Sequence, residues 1–170
     1  MQRLTKILLL GACLWALSAS AVEQGDEAPA WSGATFDGTA VEFPELLDGK
    51  PAVVVFWATW CPYCRAFMPH LSRIEAEYGD RINVVTINAK EERNASPRAY
   101  VEALDFPSIA VRDGDAIAAA YGVEYIPGLM VVDAGGTVAY RRAWTDLPAG
   151  ETVASLWSRE VRRALDQLVE

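Results

Sequence analysis

The sequence predicts an α/β fold built on a mixed central sheet, and three observations carry that prediction. Segments of strand length and of helical period alternate as strand, helix, strand, helix, strand. Two further strands follow, joined by the glycine-bearing turn "DAGGT", and an amphipathic helix closes the chain. The run Ala52–Trp57 is continuously apolar, as a strand buried on both faces requires.

Each element has its own local warrant. "WSGATFDGTAVEF" alternates in polarity around Asp37-Gly38, a hairpin signal that predicts two short N-terminal strands. Pro44–Pro51 reads as a connector with a short helix at Glu45–Leu47. A helix starts at Pro62, where the missing N–H has no helical partner to lose. It runs to about Tyr78 with Phe67, Leu71, Ile74 and Tyr78 on one face. Pro69 inside it is expected to kink it, and Gly79-Asp80 to end it. Ile82–Asn88 is a second buried strand. The charged stretch "KEERNASPRAY" is a loop leading into a helix from about Pro97 to Leu104, with Ser96 as its cap. Ser108–Val111 is a brief strand, Asp113-Gly114-Asp115 a turn, and Ala116–Tyr121 a short helix stopped by Gly122. Leu129–Val132 and Val138–Trp144 form the hairpin. The last helix, about Thr152 to Leu168, carries Val153, Leu156, Trp157, Val161, Leu165 and Leu168 at helical spacing.

At 170 residues the chain suits one domain with a core large enough to need no covalent staple. A net charge of −8 and the lack of any Lys/Arg cluster exclude a nucleic-acid-binding role. Residues 1–21 have the pattern of a secretory signal. Arg3 and Lys6 precede an apolar run from Ile7 to Leu17, and Ala19-Ser20-Ala21 forms a cleavage site. An uncleaved anchor would instead tether the protein to a membrane, but the apolar run is shorter than the roughly 20 residues a spanning helix needs. A lipoprotein signal at Cys13 is weaker still. The expected mature domain is therefore 22–170. Cleavage removes two basic and no acidic residues, taking the net charge from −8 to −10, and leaves Cys61 and Cys64.

Export places these cysteines where disulfides persist. A bridge closing so short a loop constrains the unfolded chain very little, so it makes a poor staple. At i and i+3 on the first helical turn the two sulfurs share one face and are close enough to bridge. Cys61, at the helix N-terminus, is favoured as thiolate by the free N–H groups and the macrodipole. Such a pair suits thiol–disulfide exchange, which needs no metal and no organic cofactor. Structural zinc needs four ligands, and the only other candidate, His70, lies too far along the helix; it reads as a half-buried helix residue. A dithiol could bind Cu(I), though no methionine or histidine cluster supports that.

The segment "VVVFWATWCPYCRAFMP", Val53–Pro69, resembles the active-site segment of the thioredoxin superfamily. "DEAPAW", "FDGTAVEFPELLDGKPAVVVFWATWC", "VVTINAKEERNASPRAYVEAL" and "YGVEYIPGLMVVDAGGTVAYRRAW" resemble, more narrowly, its exported TlpA/DsbE-like branch, which includes the thiol reductases of cytochrome c maturation. The resemblance covers nearly all of residues 26–168. It implies a thioredoxin-like fold with an N-terminal hairpin and a central strand–helix insertion. It further implies Cys61 as nucleophile, Cys64 as resolving cysteine, and Pro127 as a cis-proline facing the sulfurs. The backbone of Ile126 would pair with an extended client, beside Glu124 and Tyr125 on the docking surface. Trp60 would shield the disulfide, whereas Trp57 reads as core. Pro62 and Tyr63, between the cysteines, would help set the reduction potential.

Three positions depart from the pattern: Val55 and Phe67 stand where acids occur, and Gly128 follows the proline where Thr or Glu is usual. Gly128 is expected to open the groove. With both acids absent, Glu124 acting through water is the remaining candidate proton acceptor for Cys64, against a plain reading as a solvated carboxylate. The resemblance implies a periplasmic reductase of protein disulfides with an apocytochrome c-type client. It would be recharged by a membrane-embedded or other thiol donor, with no cofactor beyond its own disulfide. The alternatives are a periplasmic oxidase or isomerase using the same cysteines, and a copper- or client-binding redox chaperone.

Overall fold

A computed structural model describes residues 21–143 and 147–169. The signal pattern up to residue 20, Cys13 within it, and Trp144 lie outside the described residues. The central sheet has the order β5-β4-β3-β6-β7. At its middle, β3 (Ala52–Trp57) is fully buried. It runs parallel to β4 (Asn83–Asn88), which is parallel in turn to β5 (Ile109–Val111). On its other side β3 is antiparallel to β6 (Gly128–Val132), which pairs antiparallel with β7 (Val138–Arg141).

Alternation along β3 divides the core into two layers. Val53, Val55 and Trp57 pack with Phe67, Leu71, Ile74, Val161 and Leu165 from α1 (Pro62–Tyr78) and the last helix. Val54 and Phe56 pack on the opposite face with Phe43, Leu47, Ile117 and Tyr121. That second face is covered by the N-terminal hairpin, β1 (Trp31–Ala34) and β2 (Ala40–Phe43), and by α3 (Asp115–Ala120). The hairpin turns at Gly38, whose φ of 96° suits glycine. It is tied down by Trp31, whose indole N–H donates to the Tyr121 hydroxyl at 3.2 Å.

Helix α1 keeps the bounds the sequence predicts, while several other boundaries differ. Helix α1 continues past Pro69 and stops at Gly79, whose N–H bonds back to Glu75. The insertion helix α2 is only Pro97–Glu102; Ser96 is its N-cap residue, its carbonyl accepting the Tyr100 N–H at 3.2 Å, but its side chain makes no cap hydrogen bond. Helix α4 covers Val153–Leu165, and Thr152 is its cap, its hydroxyl accepting the Ser155 N–H at 3.2 Å. Strand β7 runs only to Arg141, short of the expected Trp144, although the Arg142 N–H carries the ladder one step further to the Leu129 carbonyl at 2.9 Å.

Candidate active site

The sheet register brings the two halves of the site together. Phe56, near the end of β3, is the Cα partner of Gly128, the first residue of β6. The turn that leaves β3 toward the cysteines therefore starts beside the loop that enters β6 through Pro127. The Ile126–Pro127 peptide is cis.

Cys61 caps α1 with extended backbone (φ −78°, ψ 110°), and its sulfur accepts the Cys64 N–H at 3.1 Å. The two cysteines form a disulfide, with their Cα atoms 5.2 Å apart. The bond that Cys64 N–H makes to sulfur in this oxidised state is the one that would favour a Cys61 thiolate in the reduced state. Both cysteines are nearly fully covered, 2% and 1% exposed, so burial does not distinguish a reactive from a resolving sulfur in the oxidised form.

The turn Ala58–Cys61 is held from the β4–α2 loop. Glu91 accepts hydrogen bonds from the Thr59 N–H (2.9 Å) and hydroxyl (2.7 Å), from the Asn88 side chain (2.8 Å) and from the Glu92 N–H (3.2 Å). Burial pushes the Glu91 carboxyl upward, but the bonds from Asn88 and Thr59 together outweigh it and hold the group below the usual glutamate range. Arg65 donates to the Thr59 carbonyl at 2.8 Å. Trp60 donates its indole N–H to the Lys90 carbonyl at 2.8 Å and stands 44% exposed. Lys90 is fixed in turn through its own N–H to Asp115.

On the other side a groove of about 1020 Å³ runs past Tyr63, Tyr125, Ile126, Pro127, Arg142 and Trp157. Tyr63 and Tyr125 are 56% and 78% exposed. The Tyr63 ring meets Trp157 edge-on at 6.4 Å, and the Arg142 guanidinium lies 4.9 Å over Trp157. Arg142 also directs its Nε and Nη2 at the Pro127 carbonyl, at 3.0 and 2.7 Å. Burial and the adjacent Arg141 charge pull Arg142 below the ordinary arginine value.

Val55 and Phe67 are apolar and fully buried in the layer under α1, and Glu124 is exposed on the loop before Ile126. His70 is half-buried and stacks on Phe67, with burial and then Arg73 and Arg162 holding its pKa down. Gly128 lines the groove as expected, but its missing side chain does not widen it. A Cβ there would lie 2.7 Å from Val123 Cγ1 and 3.1 Å from Phe56 Cδ2, in the core layer under the hairpin. The space left by glycine is filled from inside.

Sequence reading missed Glu91, Lys90, Arg141 and Arg142 as parts of this site. Glu91 and Lys90 were visible only as charge in a loop, and the arginines only as the end of a strand. Trp157 was legible as a core position of α4 and not as the partner of Tyr63.

A disulfide on the first turn of a helix that follows a buried strand, next to a cis-proline entering the neighbouring strand, defines a thioredoxin-like protein of the thiol–disulfide oxidoreductase class. The chain belongs to the AhpC/TSA family, whose model matches residues 24–141. It is 30% identical over 119 residues to the thioredoxin-like protein YneN of Bacillus subtilis, covering 69% of each chain. It is 32% identical over 131 residues to the thiol:disulfide interchange protein DsbE of Yersinia pestis, covering 76% of this chain and 62% of that protein. It is 29% identical over 122 residues to the thiol-disulfide oxidoreductase ResA of Halalkalibacterium halodurans, covering 70% and 68%. Among solved structures, a secreted Mycobacterium tuberculosis disulfide oxidoreductase homologous to Escherichia coli DsbE superposes with a TM-score of 0.60 at 27% identity, over 78% of this chain and 95% of that one. The match thus spans somewhat under two thirds of the Yersinia DsbE and slightly more of the other two curated relatives.

Proposed function

We propose that the protein is an exported, periplasmic reductant of protein disulfides, with Cys61 as nucleophile and Cys64 as resolving cysteine. The observation that carries this reading is the Cys61–Cys64 disulfide at the N-terminus of α1, with the Cys64 N–H on the Cys61 sulfur. The Cys61 thiolate attacks one sulfur of a client disulfide. The client's S–S bond breaks as a mixed disulfide forms, and the departing client sulfur takes up a proton. Cys64, losing its proton, then attacks the Cys61 sulfur and releases the second client thiol. The client gains two electrons and two protons, and the protein is left in the disulfide state seen here. No metal or organic cofactor takes part. A thiol donor, membrane-embedded or otherwise, recharges the pair by the same exchange run in reverse.

The client would lie extended along the Ile126–Pro127 backbone, with Tyr125, Glu124 and Tyr63 flanking it and Trp60 covering the sulfurs from the other side. The branch resemblance points to apocytochrome c or a related assembly client, and the names DsbE and ResA among the relatives support a disulfide-exchange role. The signal pattern of residues 1–21 supports export, as does the secreted relative from Mycobacterium tuberculosis.

Two measurements test this. Cys64→Ser should accumulate a mixed disulfide with a protein client; a copper or client chaperone would lose ligand affinity and trap nothing. The reduction potential of the pair should fall near that of thioredoxin, about −270 mV, whereas a value near about −120 mV would make the protein a disulfide donor.

A further inference from the structure

The loop between α3 and β6 is gripped at both ends by consecutive arginines. At its start, Arg141 donates from Nη1 to the Tyr121 carbonyl (3.0 Å) and from Nη2 to the Gly122 carbonyl (3.1 Å). At its end, Arg142 places Nε and Nη2 on the single carbonyl of Pro127. Successive residues leave β7 toward opposite faces of the sheet. Arg141 accordingly reaches Met130 in the layer under the hairpin, while Arg142 reaches Trp157 in the layer under α4. Between the two grips lie Glu124 and Tyr125, both exposed, and half-buried Ile126. Without the arginines, the carbonyls of Tyr121, Gly122 and Pro127 would lose charge-assisted partners.

We propose that Arg141 and Arg142 are positioning residues that pre-organise the cis-proline loop for client docking, and that Arg142 also joins this loop to the redox motif through Trp157 and Tyr63. This rests on the reading of the site as one that exchanges disulfides with a polypeptide client. An edge that is already ordered spares the client the entropy of ordering it. The arginines bond to the loop's carbonyls and to neither cysteine, so their loss falls chiefly on docking.

The test compares two substrates of the same full-length protein. One is an unfolded polypeptide carrying a single disulfide, which needs the loop. The other is a small aromatic disulfide, which needs only an accessible thiolate. Arg141→Met and Arg142→Met should each raise KM for the polypeptide about tenfold with kcat within about twofold. The small disulfide should lose less than about twofold in turnover, against the roughly tenfold loss expected for the polypeptide, because it does not use the loop. Arg142→Lys, which keeps the charge but has a single donor head in place of the fork, should recover part of the loss. If Met at position 142 fails to fold, Lys still decides. Equal losses on both substrates or an unchanged polypeptide KM would each overturn the proposal. Wild-type protein inert toward both substrates would overturn the functional reading itself and this inference with it.

Discussion

The carboxylate of Glu91 accepts both the backbone N–H and the hydroxyl of Thr59, two residues before Cys61, at 2.9 and 2.7 Å. One side chain on the loop after β4 thereby fixes the turn that leaves β3. The same carboxylate holds the Asn88 side chain, which also reaches the Trp57 carbonyl at 3.3 Å. The ends of two parallel strands are therefore tied together at the point where the redox helix begins.

Glu91→Ala should destabilise the protein by about 1–3 kcal/mol, because Thr59 and Asn88 donors lose a charged acceptor. The folded pKa of Glu91 lies below its unfolded value, so the folded state binds fewer protons on this group. Its contribution is complete above the unfolded pKa of about 4.3 and is lost as pH falls through the lower folded value. Urea melts of wild type and variant at neutral pH and across the acid limb check this. The difference between the two proteins should shrink as pH falls, and a constant difference would refute the ionic part of the argument.

Gly128→Thr should lower stability by about 1–3 kcal/mol through overpacking, and should not tighten client binding. The added Cβ meets Val123 and Phe56 on the face of β6 away from α4. Val123→Ala made together with Gly128→Thr should recover much of the loss, since the closest atoms belong to that side chain. Thermal melts of the single and double variants check this. A stable Gly128→Thr variant with a lowered client KM would restore the idea that residue 128 shapes the groove.

What was readable in the sequence followed from how far each signal reaches along the chain. Ala52–Trp57 announced a two-sided strand because burial on both faces leaves no polar position, and its neighbours β4 and β6 do cover both edges. The redox pair was legible because its residues sit three apart, within one helical turn. The Thr59–Glu91 and Pro127–Arg142 contacts join residues 32 and 15 apart, and a carboxylate or guanidinium seeking a backbone group leaves no periodic mark. Ser96 stands at the N-cap of α2 as its residue type suggests, but a residue type does not say whether the backbone leaves the hydroxyl the geometry to bond, and here its side chain makes no cap hydrogen bond. Gly128 misled because the face a β-strand residue occupies depends on register, which a departure from a family pattern does not reveal.

Thr152→Ala should cost about 1 kcal/mol and Thr152→Ser a few tenths at most, because the hydroxyl alone satisfies the Ser155 N–H at the start of α4. Since α4 carries Trp157 against Tyr63 and Phe67, fraying of its first turns should also be felt at the groove. Hydrogen exchange should show faster opening at residues 153–157 in the alanine variant, with α1 protected as before.

Two tyrosines fasten α4 to the rest of the molecule, and both should make the protein sensitive to alkali. The Tyr140 hydroxyl on β7 donates to Glu160 at 2.6 Å, and the Tyr78 hydroxyl at the end of α1 donates to Asp166 at 2.6 Å. Burial first, and then the hydrogen bond to a carboxylate, raise both phenols well above the ordinary tyrosine value. A phenol whose folded pKa is raised leaves the folded state holding a proton that the unfolded chain gives up. Stability is then whole below the unfolded pKa of about 10 and declines as pH rises through the folded value. Each Tyr→Phe variant should lose about 1–2 kcal/mol at neutral pH, since a hydrogen bond to a charged group is removed and the carboxylate remains half in solvent. Above pH 10 the variants should lose stability less steeply than wild type, and the double variant least steeply. Denaturation midpoints between pH 7 and 11 check both effects, and parallel slopes for all the proteins would place the alkaline sensitivity on other groups.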